Sequence, residues 1–235
     1  MLDWTDKRYW LLGADTDLGK AIACKLNRAG IHVVLSGKNQ DALENLMVSL
    51  PGRASYIPLD LSCPETLDAV AIELGPVDGM VFAMDTRMTS GFAGPLEASS
   101  KMISDNLLGL ACALDVVLSR MRDHGGHLVM IDSLAGYLGL PGQAGYAASK
   151  AGVRMIAEAL RAEASDGRIA VQLVTLVQPE RDPDAAAAGV FEHMGTPRFR
   201  RTVPVLGGLA VLAARYLPGW LMRPTIATLT KQAQN

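Results

Sequence analysis

Cysteine, histidine and aromatic side chains are scarce in this 235-residue chain. Its three cysteines, Cys24, Cys63 and Cys112, are odd in number and scattered, with no Cys-x-x-Cys pair. That argues against a disulfide framework or a cysteine metal centre and for reduced, intracellular thiols. The four histidines, His32, His124, His127 and His193, form no paired ligand motif with one another or with Asp and Glu, which leaves no metal-hydrolase pattern. Basic runs are missing too: 22 Lys and Arg stand against 24 Asp and Glu, a formal charge of -2, so no nucleic-acid partner is expected. The longest apolar stretch, residues 203–214, is interrupted by Pro204, Gly207 and Gly208 and meets Arg215. It falls short of the roughly 20 residues a spanning helix needs, so no membrane partner is expected. Residues 1–10 carry Asp3, Asp6, Lys7 and Arg8 where a signal peptide would have an apolar core, and the expected location is cytoplasmic. No linker-like segment and no internal repeat breaks the chain, so residues 1–235 read as a single domain.

What is present is an alternation. Short apolar runs at 9–12, 32–35, 55–59, 79–83, 127–131, 171–177 and 225–229 read as strands. Longer amphipathic stretches at 18–29, 40–49, 64–74, 101–121, 146–164 and 206–216 read as helices. Strands and helices taken in turn predict an α/β fold, a doubly wound parallel sheet of about seven strands with helices on both faces. In such sheets ligands bind outside the carboxyl ends of the strands, so the segments that follow the strands are where function is sought.

The first strand runs into Gly13-Ala14-Asp15-Thr16-Asp17-Leu18-Gly19 and then a helix. Glycines let the backbone approach closely, and the helix N-terminus offers N–H groups and a dipole to a phosphate. Asp17 stands where a phosphate-binding turn would often have glycine, and the favoured reading makes it the N-cap of the following helix. After the second strand come Ser36-Gly37-Lys38-Asn39, with no acidic residue for ribose hydroxyls. Lys38 is placed to pair with a 2'-phosphate, which favours NADP and leaves NAD possible, although a solvated loop lysine is the ordinary alternative. Asp60, with Leu61 beside it, is placed either to meet an adenine amino group or to cap the helix near Pro64.

A serine thirteen residues before a tyrosine, and a lysine four after it, is the pattern that carries chemistry: Ser133, Tyr146 and Lys150. On a helix Tyr146 and Lys150 share one face, so the ammonium is expected to lower the phenol's pKa and make it an acid/base near neutral pH. Ser133 then offers its hydroxyl to a substrate carbonyl. Ser133 lies outside any Gly-x-Ser-x-Gly setting, which argues against a hydrolase nucleophile.

With these motifs together, the chain resembles the short-chain dehydrogenase/reductase family over nearly its whole length. The strongest part is Ser133-Leu134-Ala135-Gly136 through Pro141-Gly142-Gln143-Ala144-Gly145-Tyr146-Ala147-Ala148-Ser149-Lys150. The resemblance implies a Rossmann-type fold, Tyr146 as catalytic acid/base, Lys150 as its pKa modulator and ribose ligand, and Ser133 as polariser of the carbonyl. It also implies that Asn106 supports a proton relay to the lysine. It places Ala83, after the fourth strand, and Pro179, after the sixth, beside the cofactor.

Three stretches depart from the family pattern. Phe82-Ala83-Met84-Asp85 stands for Asn-Asn-Ala-Gly, Pro179-Glu180 for Pro-Gly, and the terminal Asp-Gly-Gly is absent. The implied activity is NAD(P)-dependent interconversion of a carbonyl and an alcohol on a small molecule. The rival is a non-catalytic or weakly active binding protein. Residues 180–202 are expected to form a flap over substrate, and helices 101–121 and 146–164 to pair in a homodimer or homotetramer.

Overall fold

The computed structural model describes residues 3–60, 67–88, 96–138, 142–204 and 216. Seven parallel strands form one sheet in the order β3-β2-β1-β4-β5-β6-β7. They are β1 (Arg8–Leu12), β2 (His32–Ser36), β3 (Ala54–Tyr56), β4 (Gly79–Phe82), β5 (Gly126–Ser133), β6 (Ile169–Leu176) and β7 (Arg200–Val203). The crossovers are α1 (Asp17–Arg28), α2 (Gln40–Ser49), α3 (Leu67–Leu74), α4 (Leu96–Ile103), α5 (Gly109–Met121), α6 (Ala144–Glu163) and α7 (Pro183–Met194). The chain reverses its direction of winding between β1 and β4, which pair from Tyr9 with Gly79 to Leu12 with Phe82. A crevice opens at such a reversal, above the carboxyl ends of the two strands.

Strand periodicity explains why both faces are covered. In β1, Tyr9 and Leu11 point to one side and pack with Leu18, Ile22 and Leu26 of α1 and Val190 and Met194 of α7. Trp10 and Leu12 point to the other and pack with Leu110, Leu114 and Val117 of α5 and Val153 and Ala157 of α6. Alternate residues feed opposite cores, so the strand is apolar throughout, as a parallel sheet buried on both faces requires.

Several boundaries differ from the sequence reading. The seventh position of the sheet is filled by Arg200–Val203, while residues 225–229, expected there, lie outside the described residues, as does most of the helix expected at 206–216. Residues 180–202, expected as a flap over substrate, hold α7, which packs on the α1 side of the sheet, and β7, paired with β6. Only six residues, 177–182, separate β6 from α7. The helix expected at 101–121 is longer and has a π-helical stretch, Ser104–Leu108, between α4 and α5. Thr16, not Asp17, caps α1: its Oγ1 accepts the Gly19 N–H at 3.0 Å. Thr16 holds the extended backbone a cap needs, whereas Asp17 is already helical.

Candidate active site

Ser133 ends β5, Tyr146 and Lys150 share one face of α6, and Asn106 sits in the π-helical stretch. The fold brings all four to the carboxyl ends of β4 and β5, and all four are buried. Asn106 is no surface residue: its Oδ1 accepts the Thr86 N–H at 2.8 Å, and its Nδ2 donates to the Thr86 carbonyl at 2.8 Å and to Ser149 Oγ at 3.2 Å. It therefore ties the segment after β4 to α6.

Two residues to which sequence reasoning gave no role dominate the centre. Asp85 Oδ1 accepts the Tyr146 hydroxyl at 2.7 Å and lies 2.9 Å from Lys150 Nζ, which also donates to the Met84 carbonyl at 2.8 Å. Arg87 stacks on the Tyr146 ring, 4.5 Å from its centroid, and its Nη2 donates to the phenol oxygen at 3.0 Å. Arg87 Nη1 also reaches Glu180 Oε1 at 3.4 Å. The signal for Asp85 was in the sequence, as a carboxylate where the family pattern has glycine. Arg87 carried no such mark.

These neighbours correct the expectation for Tyr146. Burial and the Asp85 carboxylate raise its pKa above the usual phenol value, and Lys150, Arg87 and the Ser133 hydroxyl only partly oppose them. Burial alone would lower Lys150, yet the Asp85 charge holds it above the usual amine value. Asp85 itself lies below the usual carboxylate value: burial works against its charge, but Lys150 and Arg87 outweigh it.

Behind the serine lies a further carboxyl that sequence reasoning missed. Asp132 is 1% exposed, and its Oδ1 accepts the Ser133 N–H at 2.5 Å. Its Oδ2 has no hydrogen-bond partner among the described residues. Burial pushes its pKa up to about 7, against the pull of that N–H and of Lys150, Arg154 and Arg200.

Residues 7–179 match the family model described as short chain dehydrogenase. The chain belongs to the short-chain dehydrogenase family. An uncharacterized oxidoreductase of Mycobacterium tuberculosis is 30% identical over 190 residues, covering 74% of this chain and 73% of that one. A 3-oxoacyl-[acyl-carrier-protein] reductase of Rickettsia felis is 30% identical over 176 residues, with 74% and 73% covered. A 3-ketodihydrosphingosine reductase of Mus musculus is 30% identical over 199 residues, 78% of this chain but 58% of its own length. Among solved structures, a short-chain dehydrogenase of Streptomyces avermitilis superposes with a TM-score of 0.79 at 24% identity, covering 98% of this chain and 97% of that one. One from Burkholderia cenocepacia, in complex with NADP, superposes with a TM-score of 0.84 at 16% identity, covering 95% and 98%. At these identities the solved structures speak for the fold.

Short-chain dehydrogenases are oxidoreductases that use NAD(P) and act on small molecules. In backbone, the first turn fits such a dinucleotide. A Cβ on Gly19 would fall 2.0 Å from the Gly13 carbonyl oxygen, so only glycine closes the turn this tightly, and α1 presents its first-turn N–H groups above it. Leu18 is buried beneath the turn, while Asp17 is exposed with Lys20 3.7 Å away. Ala83, at the end of β4, is buried against Gly13. Pro179 opens a short 3-10 turn after β6, and Leu61 lies outside the described residues.

The ribose ends are more crowded. Asp15 Oδ2 accepts the N–H groups of Lys38 and Asn39 at 2.9 and 3.1 Å. Its carboxylate lies over Gly37, where a Cβ would come within 2.3 Å of Oδ1. Lys38 Nζ is held by Asp60 and by the buried Asp105, each at 3.0 Å. At the other end Asp85 Oδ1 takes the donors of Tyr146 and Lys150, the two residues that the family resemblance places beside the cofactor. A cavity of about 980 Å³ lies at the opposite, amino ends of the strands, lined by Trp4, Tyr9, His127 and Gln172 among others, away from these residues.

Proposed function

We propose that this short-chain dehydrogenase interconverts a carbonyl and an alcohol, with Tyr146 exchanging the proton at the substrate oxygen. The observation that carries this reading is the convergence of a buried phenol, a buried ammonium and the Ser133 hydroxyl at the carboxyl ends of β4 and β5. A bound nicotinamide supplies or accepts the hydride. Ser133 donates to the oxygen as negative charge develops there, Tyr146 delivers its proton to the same oxygen, and Lys150 stabilises the phenolate that remains. Burial and the Asp85 carboxylate keep the proton on Tyr146 in the ligand-free protein, the form that reduction uses. Two of the relatives above are named as reductases, in keeping with that direction.

For the cofactor, the 2'-phosphate contact expected of Lys38 is not supported by its position, since two carboxylates already hold its ammonium. Asp15 takes the loop N–H groups that a 2'-phosphate would need and brings a negative charge to them. Its carboxylate instead suits a ribose diol, so NAD(H) is the cofactor this arrangement favours over NADP(H). A cytoplasmic location and a homodimer or homotetramer complete the reading. The apolar stretch Leu96–Met121 is long enough to cross a membrane, but half of its most apolar window is buried within the fold.

The test is turnover of NADH and NADPH with a panel of aldehydes and ketones. Tyr146→Phe is expected to lower kcat by about 100- to 10,000-fold, the usual contribution of a positioned acid. Unchanged turnover in that variant removes Tyr146 from the mechanism, and no turnover in the natural protein favours a binding role.

A further inference from the structure

Resting on the reading just given, we infer that Asp85 is an internal ligand of the catalytic pair: it competes with cofactor and substrate for Tyr146 and Lys150, and the site opens only when its carboxylate is displaced. One oxygen, Oδ1, takes both donors, the phenol at 2.7 Å and the ammonium at 2.9 Å. An acceptor lying between a phenol O–H and an ammonium occupies the place of a ribose hydroxyl or a reacting carbonyl oxygen. The other side of the phenol oxygen is filled as well, by Arg87 Nη2 at 3.0 Å. With Asp85 in place, Tyr146 has no proton aimed at a substrate.

The same contacts explain why the carboxylate stays there. Lys150 is 1% exposed, and a buried ammonium without a counter-charge is strongly destabilising. Asp85 supplies that charge in the free protein. It also has somewhere to go: its side chain is 27% exposed, and Arg87, two residues on, is a second cation within electrostatic reach. Dinucleotide entry is therefore an exchange, in which Asp85 leaves Lys150 for Arg87 and the ligand's hydroxyls take over the ammonium and the phenol. A carboxylate at this point also repels the pyrophosphate of an incoming ligand. Both effects weaken cofactor binding relative to a site with a neutral residue at position 85.

The experiment measures affinity and thermal stability apart from turnover, with NADH and NADPH as probes and natural protein, Asp85→Asn and Asp85→Gly compared. Both variants are expected to bind dinucleotide at least about tenfold more tightly. The ligand-free Asp85→Gly protein should melt lower than the natural one, since Lys150 loses its partner, and gain more from added NADH. Should Asp85→Gly fail to fold, Asp85→Asn, which keeps the shape and one hydrogen-bonding oxygen, decides. Equal or weaker binding in the variants, beside measurable binding by the natural protein, overturns the competition and leaves the oxidoreductase reading standing. Absence of binding by all three at millimolar dinucleotide overturns both. Tighter binding without turnover supports the competition and removes the oxidoreductase reading.

Discussion

At Tyr146, burial and the Asp85 carboxylate hold the proton on, while Lys150, Arg87 and Ser133 favour its loss, and the first pair prevails. In the ligand-free protein Tyr146 should therefore ionise above the usual phenol range, and Asp85→Asn, which removes the neighbouring charge, should bring that ionisation down. Ultraviolet titration of the ligand-free protein against Tyr146→Phe checks this, and an ionisation no lower in Asp85→Asn than in the natural protein would contradict it. Asp132 gives a second titration. Its pKa is raised in the fold to about 7 from 3.8, so between those values the unfolded chain binds fewer protons and stability falls as pH rises. Asp132→Asn should flatten that decline and stabilise the protein at pH 8 by more than ~1 kcal/mol, measured by urea unfolding across pH 4 to 8. The positions of Ser133, Tyr146 and Lys150 were legible because each depends on spacing along one strand and one helix. Those of Asp85, Arg87 and Asp15 were not, because each depends on which side chain from another loop reaches the same atom first.

At the scale of the element, the start of α1 shows how a plausible local reading is displaced. Asp and Thr are both good caps, and only backbone conformation decides between neighbours. Thr16 is extended, at φ -86° and ψ 160°, and its Oγ1 both accepts from Gly19 N–H and donates to the Gly13 carbonyl at 2.8 Å. Thr16→Ala should therefore cost about 1 kcal/mol and loosen the turn that faces a cofactor's phosphates, whereas Asp17→Ala should leave stability within about 0.5 kcal/mol, since Asp17 is solvent-exposed. Chemical denaturation of the two variants separates them. Most other elements were readable because their patterns are local: α2 spans the ten residues its amphipathic period predicts, and β1 begins one residue early. The π-helical stretch was not, since one extra residue in a helical turn leaves the apolar pattern nearly unchanged, yet it carries Asp105 and Asn106, both buried.

At the scale of the whole molecule, the described residues carry the sheet through β7, and the large apolar side chains exposed on its outer helices include Leu108, 55% exposed at the end of the π-helical stretch, and Met155, 49% exposed on α6. Large apolar groups on the outer side of helices whose inner side holds Asn106, Tyr146 and Lys150 suit pairing with a second copy about a two-fold axis. Such pairing would bury α6 along its outer side and stiffen the helix on which Tyr146 and Lys150 sit. Sedimentation equilibrium should then give a mass of two or four chains of 25.0 kDa each. Substituting Leu108→Glu with Met155→Lys should shift the protein toward the monomer and lower its melting temperature in a concentration-dependent way, because association stabilises by mass action. A natural protein that sediments as a monomer at micromolar concentration would remove the paired state and leave these two side chains as ordinary surface apolar residues.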